Sequence, residues 1–351
     1  MEYIAKIGDR EIGDGKPIFV IAEVGINHNG DAEIAKKMII AAAKTGADAV
    51  KFQTFTAESL ISKKLRPKAF ELFKSLELKR EVYKELMHIA NEEGIMFLST
   101  PFDEDSARFL AELEIKALKI SSGDITNLPF LSFVGTLCLP VILSTGASNI
   151  TEVSEAVETL IYRRIGQFWK NLMLLHCLSS YPAPMSQLHL NVIENMKKVF
   201  SVPVGFSDHT PNTYVPLLAM AKGASIIEKH FTIDKEMDGP DQKLSLNQEE
   251  MTQMVKCLRE SEKCFGLPYK NVQLSEMAVK AEARKSIIAN QDIKIGTIIT
   301  NKMIDIKRPG IGLLPKFTNI VVGKIAQKDI TEGEAITSGM VTKWYKETSK
   351  E

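Results

Sequence analysis

Eight apolar runs recur between Ile18 and His230, and each ends on a polar side chain or thiol. They are IFVIAE to Glu23, AVKFQT to Thr54, IMFLST to Thr100, ALKISS to Ser122, VILST to Thr145, LMLLHC to Cys177, VPVGFSD to Asp208 and SIIEKH to His230. Helical patterns lie between them. DAEIAKKMIIAAAKTGAD opens on a candidate cap, Asp31, carries Ile34, Met38, Ile39 and Ala42 at helical spacing, and stops at Gly46. REVYKELMHIANEEG stops at Gly94 in the same way, and DEDSARFLAELEI, NITEVSEAVETLIYR and NQEEMTQMVKCLRESEKCFG repeat the logic. Alternating strands and helices predict parallel βα units, here a TIM (β/α)8 barrel whose chemistry sits at the C-terminal strand ends. The polar set expected there is Glu23, Lys51, Gln53, Thr100, Lys119, Ser122, Ser144, Ser207, His209 and His230.

The stretch from Phe55 to Lys79 is longer than an ordinary βα loop, is rich in lysine and contains Pro67, which suggests a lid or substrate loop. Past the barrel the composition shifts to β-branched residues, glycine and turns. ANQDIKIGTIITNKMI from Ala289 matches AQKDITEGEAITSGMV from Ala326, aligning Asp292 with Asp329 and Gly296 with Gly333. Two copies predict a small pseudo-symmetric β module, too short for a solenoid. The constrained KRPGIG loop between them presents Arg308. The expected division is a barrel over 1–267, a linker over 268–282 and the β-rich module over 283–351.

Lys+Arg and Asp+Glu are both 44, so the net charge is zero. That argues against a nucleic-acid or membrane-surface role and leaves room for a local basic pocket. The four cysteines, Cys138, Cys177, Cys257 and Cys264, form no CxxC pair and read as buried thiols of a reducing compartment. No secretory or membrane-spanning run is present, so a soluble cytoplasmic protein is expected.

His209 and His230 end adjacent strands and would stand side by side at the barrel mouth. A pair so placed suits a divalent cation such as Mn2+; the plainer alternative is that each hydrogen-bonds a neighbouring loop, and one could be a general base. Lys51 and Lys119 at strand ends are costly to bury unless an anion meets them, and the surrounding hydroxyls could wrap a phosphate and a carboxylate. A Schiff-base lysine of an aldolase competes with that reading. Glu23 could take a proton from water or pair with Lys51. Asp124 and Asp241 could hold sugar hydroxyls or be surface turn residues, and Tyr181 in SSYPAP could face the substrate or pack.

Taken together, IAEVGINHNGD, GADAVKFQTF, FLSTPFDEDS, LKISSGDITNLPFL, VILSTGAS, LLHCLSSYPAP, VGFSDHT, IIEKHFTIDKEMDGPD, ARKSIIA and KRPG resemble the sialic acid synthase family through essentially the whole chain. The tail resembles the antifreeze-like (SAF, β-clip) domain of these enzymes. The resemblance implies condensation of phosphoenolpyruvate with an N-acylated mannosamine-type sugar, giving a nine-carbon 2-keto-3-deoxy acid and phosphate. It implies Mn2+ or Mg2+ on His209 and His230, and phosphoenolpyruvate on Lys51, Thr100, Lys119, Ser122, Ser144 and Ser207. The sugar would meet Gln53, Tyr181, Asp241 and Arg308 of a neighbouring subunit, because the family forms domain-swapped homodimers. Glu23 would guide water, and Asp124 would serve the reaction although many members have Glu there; Ser179 stands where some have Asn. Among family branches the motifs sit closest to the N-acetylneuraminate and legionaminate types rather than the pseudaminate or spore-coat types. Outside it, the alternatives are a synthase using a phosphorylated pentose or tetrose, which would lack such a tail, and a non-catalytic glycan-binding protein.

Overall fold

The computed structural model describes residues 3–162 and 171–342. The chain divides into two compact units, Met1–Gly266 and Leu267–Glu351. The first opens with an antiparallel hairpin, β1 (Ile4–Ile7) and β2 (Arg10–Gly13), turning at Gly8 with φ +56°. Eight parallel strands then close a barrel: β3 (Phe19–Gly25), β4 (Ala49–Thr54), β5 (Met96–Pro101), β6 (Leu118–Ile120), β7 (Val141–Ser144), β8 (Leu172–Cys177), β9 (Val204–Asp208) and β10 (Ile226–His230). They lie in sequence order, with β10 returning to pair with β3 and His230 level with Glu23.

The helices are α1 (Ala32–Lys44), α2 (Ala57–Leu60), α3 (Pro67–Leu76), α4 (Arg80–Glu92), α5 (Glu104–Glu112) and α6 (Leu128–Thr136) in the first half of the barrel. After them come α7 (Ile150–Tyr162), α8 (Asn191–Phe200), α9 (Val215–Ala221) and α10 (Gln248–Glu262). Asp31 caps α1 by accepting the Glu33 and Ile34 amide N–H groups, and Asn247 with Glu250 forms a reciprocal capping box on α10. The helical pattern expected to reach Arg163 is helical as far as Tyr162, and Arg163 itself lies outside the described residues. The supposed loop from Phe55 to Lys79 is largely helical: Pro67 occupies the first turn of α3, where its missing N–H costs nothing.

Strand alternation explains the core. Outward positions such as Val20, Ala22, Val50, Phe97, Leu118, Leu143 and Leu174 join the apolar layer between strands and helices. Inward positions Phe19, Ile21, Ala49, Leu98, Ala117, Ile142, Met173, Leu175 and Ile226 form a second cluster with Ala5, Ile7 and Ile12 of the hairpin. The hairpin therefore stoppers the N-terminal end of a packed barrel. Continuing the same inward rows toward the C-terminal ends gives Glu23, Lys51, Thr100, Lys119, Ser144, Ser207, Glu228 and His230, all buried. Each row changes from apolar to polar at one level, and that level is the floor of a site.

The second unit contains α11 (Met277–Ala283), α12 (Thr318–Val321), and β11 (Ser286–Ala289) paired antiparallel with β12 (Ile304–Lys307). Its two repeats clasp each other with near two-fold symmetry. Ile293 and Ile330 exchange both backbone hydrogen bonds at 2.8 and 2.9 Å. The Ile295 N–H donates to Asp329 Oδ1 at 2.8 Å, and the equivalent Glu332 N–H donates to Asp292 Oδ1 at 2.9 Å. Gly296 and Gly333 take φ +85° and +81°, a left-handed turn that glycine adopts without strain. Among the described residues, no helix is long and apolar enough to cross a membrane.

Candidate active site

The polar floor opens into a cavity of about 480 Å3 at the C-terminal end of the barrel. Two ammonium groups lie at its base. Lys51 Nζ stands 2.6 Å from Glu23 Oε2 and donates to Thr100 Oγ1 at 3.0 Å. Lys119 Nζ donates to the Ile120 carbonyl at 3.2 Å. Between the two sits Glu228, 3.6 Å from Lys51 and 3.7 Å from Lys119, accepting a 2.8 Å hydrogen bond from Ser207 Oγ. Both separations are those of ion pairs, and Lys51, Lys119 and Glu228 all line the cavity.

Burial and charge set the protonation of this cluster. Burial pushes the Glu23 carboxyl up to about 7 against the attraction of Lys51. Burial also opposes ionisation of Glu228, but Lys119 and Lys51 outweigh it and hold that carboxyl well below the ordinary range. Burial lowers Lys119, partly offset by Glu228. The site thus keeps one firm carboxylate and one carboxyl poised to gain or lose a proton.

His209 and His230 meet across the mouth with ring centroids 5.6 Å apart. Their register follows from the strands: His230 ends β10, and His209 follows the end of β9. Burial pushes both imidazoles toward the neutral form. His209 Nδ1 hydrogen-bonds the Leu178 carbonyl at 2.8 Å, turning Nε2 toward Ser207 Oγ at 3.5 Å. His230 Nδ1 is buried with no hydrogen-bond partner and lies 4.0 Å from Asp241 Oδ2. Tyr181 stacks obliquely on His209 at 4.2 Å between centroids and stays half exposed. Among the described residues no group of three or more His, Cys, Asp or Glu side chains forms a metal site, so a cation here would have two imidazoles and need further oxygen ligands.

Of the residues singled out in the sequence, Glu23, Lys51, Gln53, Thr100, Lys119 and Ser122 line this one cavity, as do Ser144, Tyr181, Ser207, His209, His230 and Asp241. Asp124 does not. It lies in a short 3-10 turn, Ser122–Asp124, and its Oδ1 accepts from Asn127 Nδ2 at 3.1 Å. Arg308 is exposed and belongs to the second unit. The cysteine expectation needs correction, since only Cys177 is buried; Cys257 is partly buried, and Cys138 and Cys264 are exposed. Cys138 follows α6 with φ +56°, a turn position rather than a core one.

Glu228 lines the cavity although the motifs did not single it out. Its signal was the strand period: it precedes His230 by two and must share its face. Cys177 joins the same wall through a 3.2 Å contact with Ser122 Oγ. Asp241 is held by a buried lattice. Asn27 Nδ2 donates to Phe231 O and Ser245 Oγ, Gln242 Nε2 to Asn27 O, and Ser245 Oγ to the Asp241 carbonyl. Fixing the β10–α10 loop this way sets one rim of the cavity.

Residues 38–270 match the model of the NeuB family, and residues 284–342 match the SAF domain. An uncharacterised protein of Methanocaldococcus jannaschii is 46% identical, with 96% of this chain and 98% of that protein covered. The N,N'-diacetyllegionaminic acid synthase of Campylobacter jejuni is 41% identical, with 92% and 99% covered. The crystal structure of the N-acetylneuraminic acid (sialic acid) synthetase of Leptospira borgpetersenii superposes with a TM-score of 0.74 at 34% identity, covering 80% of this chain and 95% of that one. The chain belongs to the NeuB family and is an enzyme of the sialic acid synthase type, a TIM barrel followed by a SAF domain.

Proposed function

We propose that the chain condenses phosphoenolpyruvate with an N-acylated mannosamine-type sugar, giving a nine-carbon 2-keto-3-deoxy acid of the N-acetylneuraminate or legionaminate type and phosphate. The observation that carries this reading is two buried ammonium groups, Lys51 and Lys119, in one cavity with a pair of neutral imidazoles. The likeness to the legionaminic and sialic acid enzymes above supports it.

In this reading Lys51 and Lys119, with Thr100, Ser122, Ser144 and Ser207, bind the carboxylate and phosphate of phosphoenolpyruvate. Preorganised donors of this kind hold charge that moves during the reaction at little reorganisation cost. Gln53, Tyr181 and Asp241 orient the open-chain sugar so that its aldehyde carbon faces C3 of phosphoenolpyruvate. The C2–C3 π pair of phosphoenolpyruvate forms a C3–C1 bond, and the aldehyde oxygen takes a proton from the Glu23 carboxyl to become a hydroxyl. Water adds to C2 and gives its proton to Glu23, whose carboxyl is poised near neutrality. The C2–O bond to phosphate then breaks, the C2 hydroxyl proton leaving with the phosphate, and a ketone remains. Asp124 is given no contact with the reacting atoms.

A divalent cation, Mn2+ or Mg2+, fits the donor set: two neutral imidazoles, one oriented by a backbone carbonyl and the other with an unpartnered buried nitrogen. Bound by His209 and His230, it would act as a Lewis acid toward the aldehyde oxygen. The same reading makes the enzyme a cytoplasmic homodimer in which Arg308 of one subunit serves the barrel mouth of its partner.

The test is phosphate release from phosphoenolpyruvate across a panel of acylated hexosamines. Release that requires both substrates supports the reading. A borohydride-trapped adduct on Lys51 or Lys119, with no phosphate released, would replace it with aldolase chemistry.

A further inference from the structure

One side of the cavity wall is hydrocarbon and cannot hold an anion. Ile26 follows β3, Phe102 follows β5, and Leu72 and Phe73 stand on α3; all four line the cavity. Behind them Phe55, Leu60 and Leu76 complete a small apolar cluster separate from the barrel core. Phe55 meets Phe73 and Phe102 edge to face, with centroids 5.7 and 6.1 Å apart.

This wall is anchored. A Cβ on Gly30, at φ +76°, would stand 2.3 Å from the Ser75 carbonyl oxygen, so the end of α3 sits directly against the β3–α1 loop. The Glu77 carboxylate accepts the Ala57 N–H at 2.5 Å and pairs with Lys74 at 3.1 Å, and Lys74 also pairs with Glu58 at 3.0 Å. Yet Leu72 keeps 47% of its surface exposed, at the edge of a cavity whose floor carries lysines, carboxylates, hydroxyls and imidazoles. A sugar hydroxyl pressed against Leu72 and Phe73 would lose water and find no partner, whereas a methyl group would gain by leaving water.

We propose that Leu72, backed by Phe73, is a specificity-determining residue, and that this wall receives a methyl-terminated end of the acylated amino sugar. It rests on the condensation reading above. Two groups of that chemistry are available, a C6 methyl in a 6-deoxy sugar and the methyl of an N-acetyl group.

The experiment measures kcat/KM for phosphate release with two matched pairs. One pair is a 6-deoxy and a 6-hydroxy diacetamido hexose; the other is N-acetyl- and N-glycolylmannosamine. The enzyme is expected to favour the methyl member of at least one pair by about tenfold, the scale of one apolar group in an apolar pocket. Leu72→Gln is expected to bring that ratio close to one, and Leu72→Met to keep it; the pair that responds identifies the methyl. No preference in the unaltered enzyme would overturn the assignment. So would a preference that Leu72→Gln leaves intact in a protein melting at the unaltered temperature; should that variant melt lower, Leu72→Thr is read the same way. Absence of phosphate release with every sugar would instead bring down the condensation reading, and the wall's role with it.

Discussion

Along β10 a single residue separates a charge that holds the fold from one that faces the chemistry. Glu228 points into the cavity, while Lys229 points outward to Asp208 at 2.7 Å, both almost fully buried. Removing one member of such a pair leaves the other ionised without a partner. Lys229→Met should therefore destabilise the protein by about 3–5 kcal/mol in urea denaturation, and adding Asp208→Asn should recover much of it. An unchanged midpoint in the single variant would contradict the pairing. Glu228→Gln should lower the melting temperature too, since two buried ammonium groups lose a shared counter-charge, and should in addition lower kcat/KM for phosphoenolpyruvate at least tenfold, because the spacing of Lys51 and Lys119 depends on the charge between them. Equal losses in Glu228→Gln and Glu228→Asp would argue against that role. The histidines, lysines and hydroxyls were legible because each is a polar side chain in or just beyond the last few positions of an otherwise apolar run. Glu228 was hidden two residues before the end of its run, where only the face assignment distinguishes it from Lys229.

At the level of elements, every strand of the barrel was readable from its apolar run, to within a residue or two at its ends. Among the elements that were not are the hairpin and α3. The β1–β2 hairpin has two four-residue strands, too short for an alternation to stand out, and its burial depends on the open barrel end it fills. In α3, lysines and Pro67 resemble a loop, but Pro67 starts the helix and the lysines face water. Gly30→Ala should displace this helix. It places a methyl against Ser75 and strains a left-handed turn, so a stability loss of about 1–3 kcal/mol is expected, with a raised KM for the sugar. A variant with unaltered sugar KM would disconnect α3 from substrate binding. In the SAF unit, Lys294 and the Ile295 N–H hold the Asp329 carboxyl below its ordinary value. A depressed carboxyl stabilises the fold above its unfolded value of about 3.9 and loses that contribution as pH falls through the folded value. The gap in denaturation midpoint between the protein and Asp329→Asn should therefore be full at about pH 5 or above and close as the solution becomes more acidic. A gap independent of pH would rule out the carboxylate as its cause.

For the whole molecule, the internal repeat announced the second unit because both copies must present the same side chains to a shared axis. Assembly leaves no such mark, since Arg308 and the KRPG loop look alike whether they serve their own barrel or another. Subunits carrying Arg308→Ala, mixed with subunits carrying Lys119→Ala, address this directly. A swapped arginine predicts one competent site per verified heterodimer, pairing an intact barrel with the other subunit's intact arginine, and activity above that of either parent. Heterodimers as inactive as their parents would place the arginine elsewhere. The most direct test of the central claim is a crystal soaked with Mn2+ and phosphoenolpyruvate and measured at the manganese edge. The account predicts one anomalous peak bonded to the imidazoles of His209 and His230, with the phosphate or carboxylate against Lys51 and Lys119. A peak away from that imidazole pair, or phosphoenolpyruvate bound outside this cavity, would contradict it.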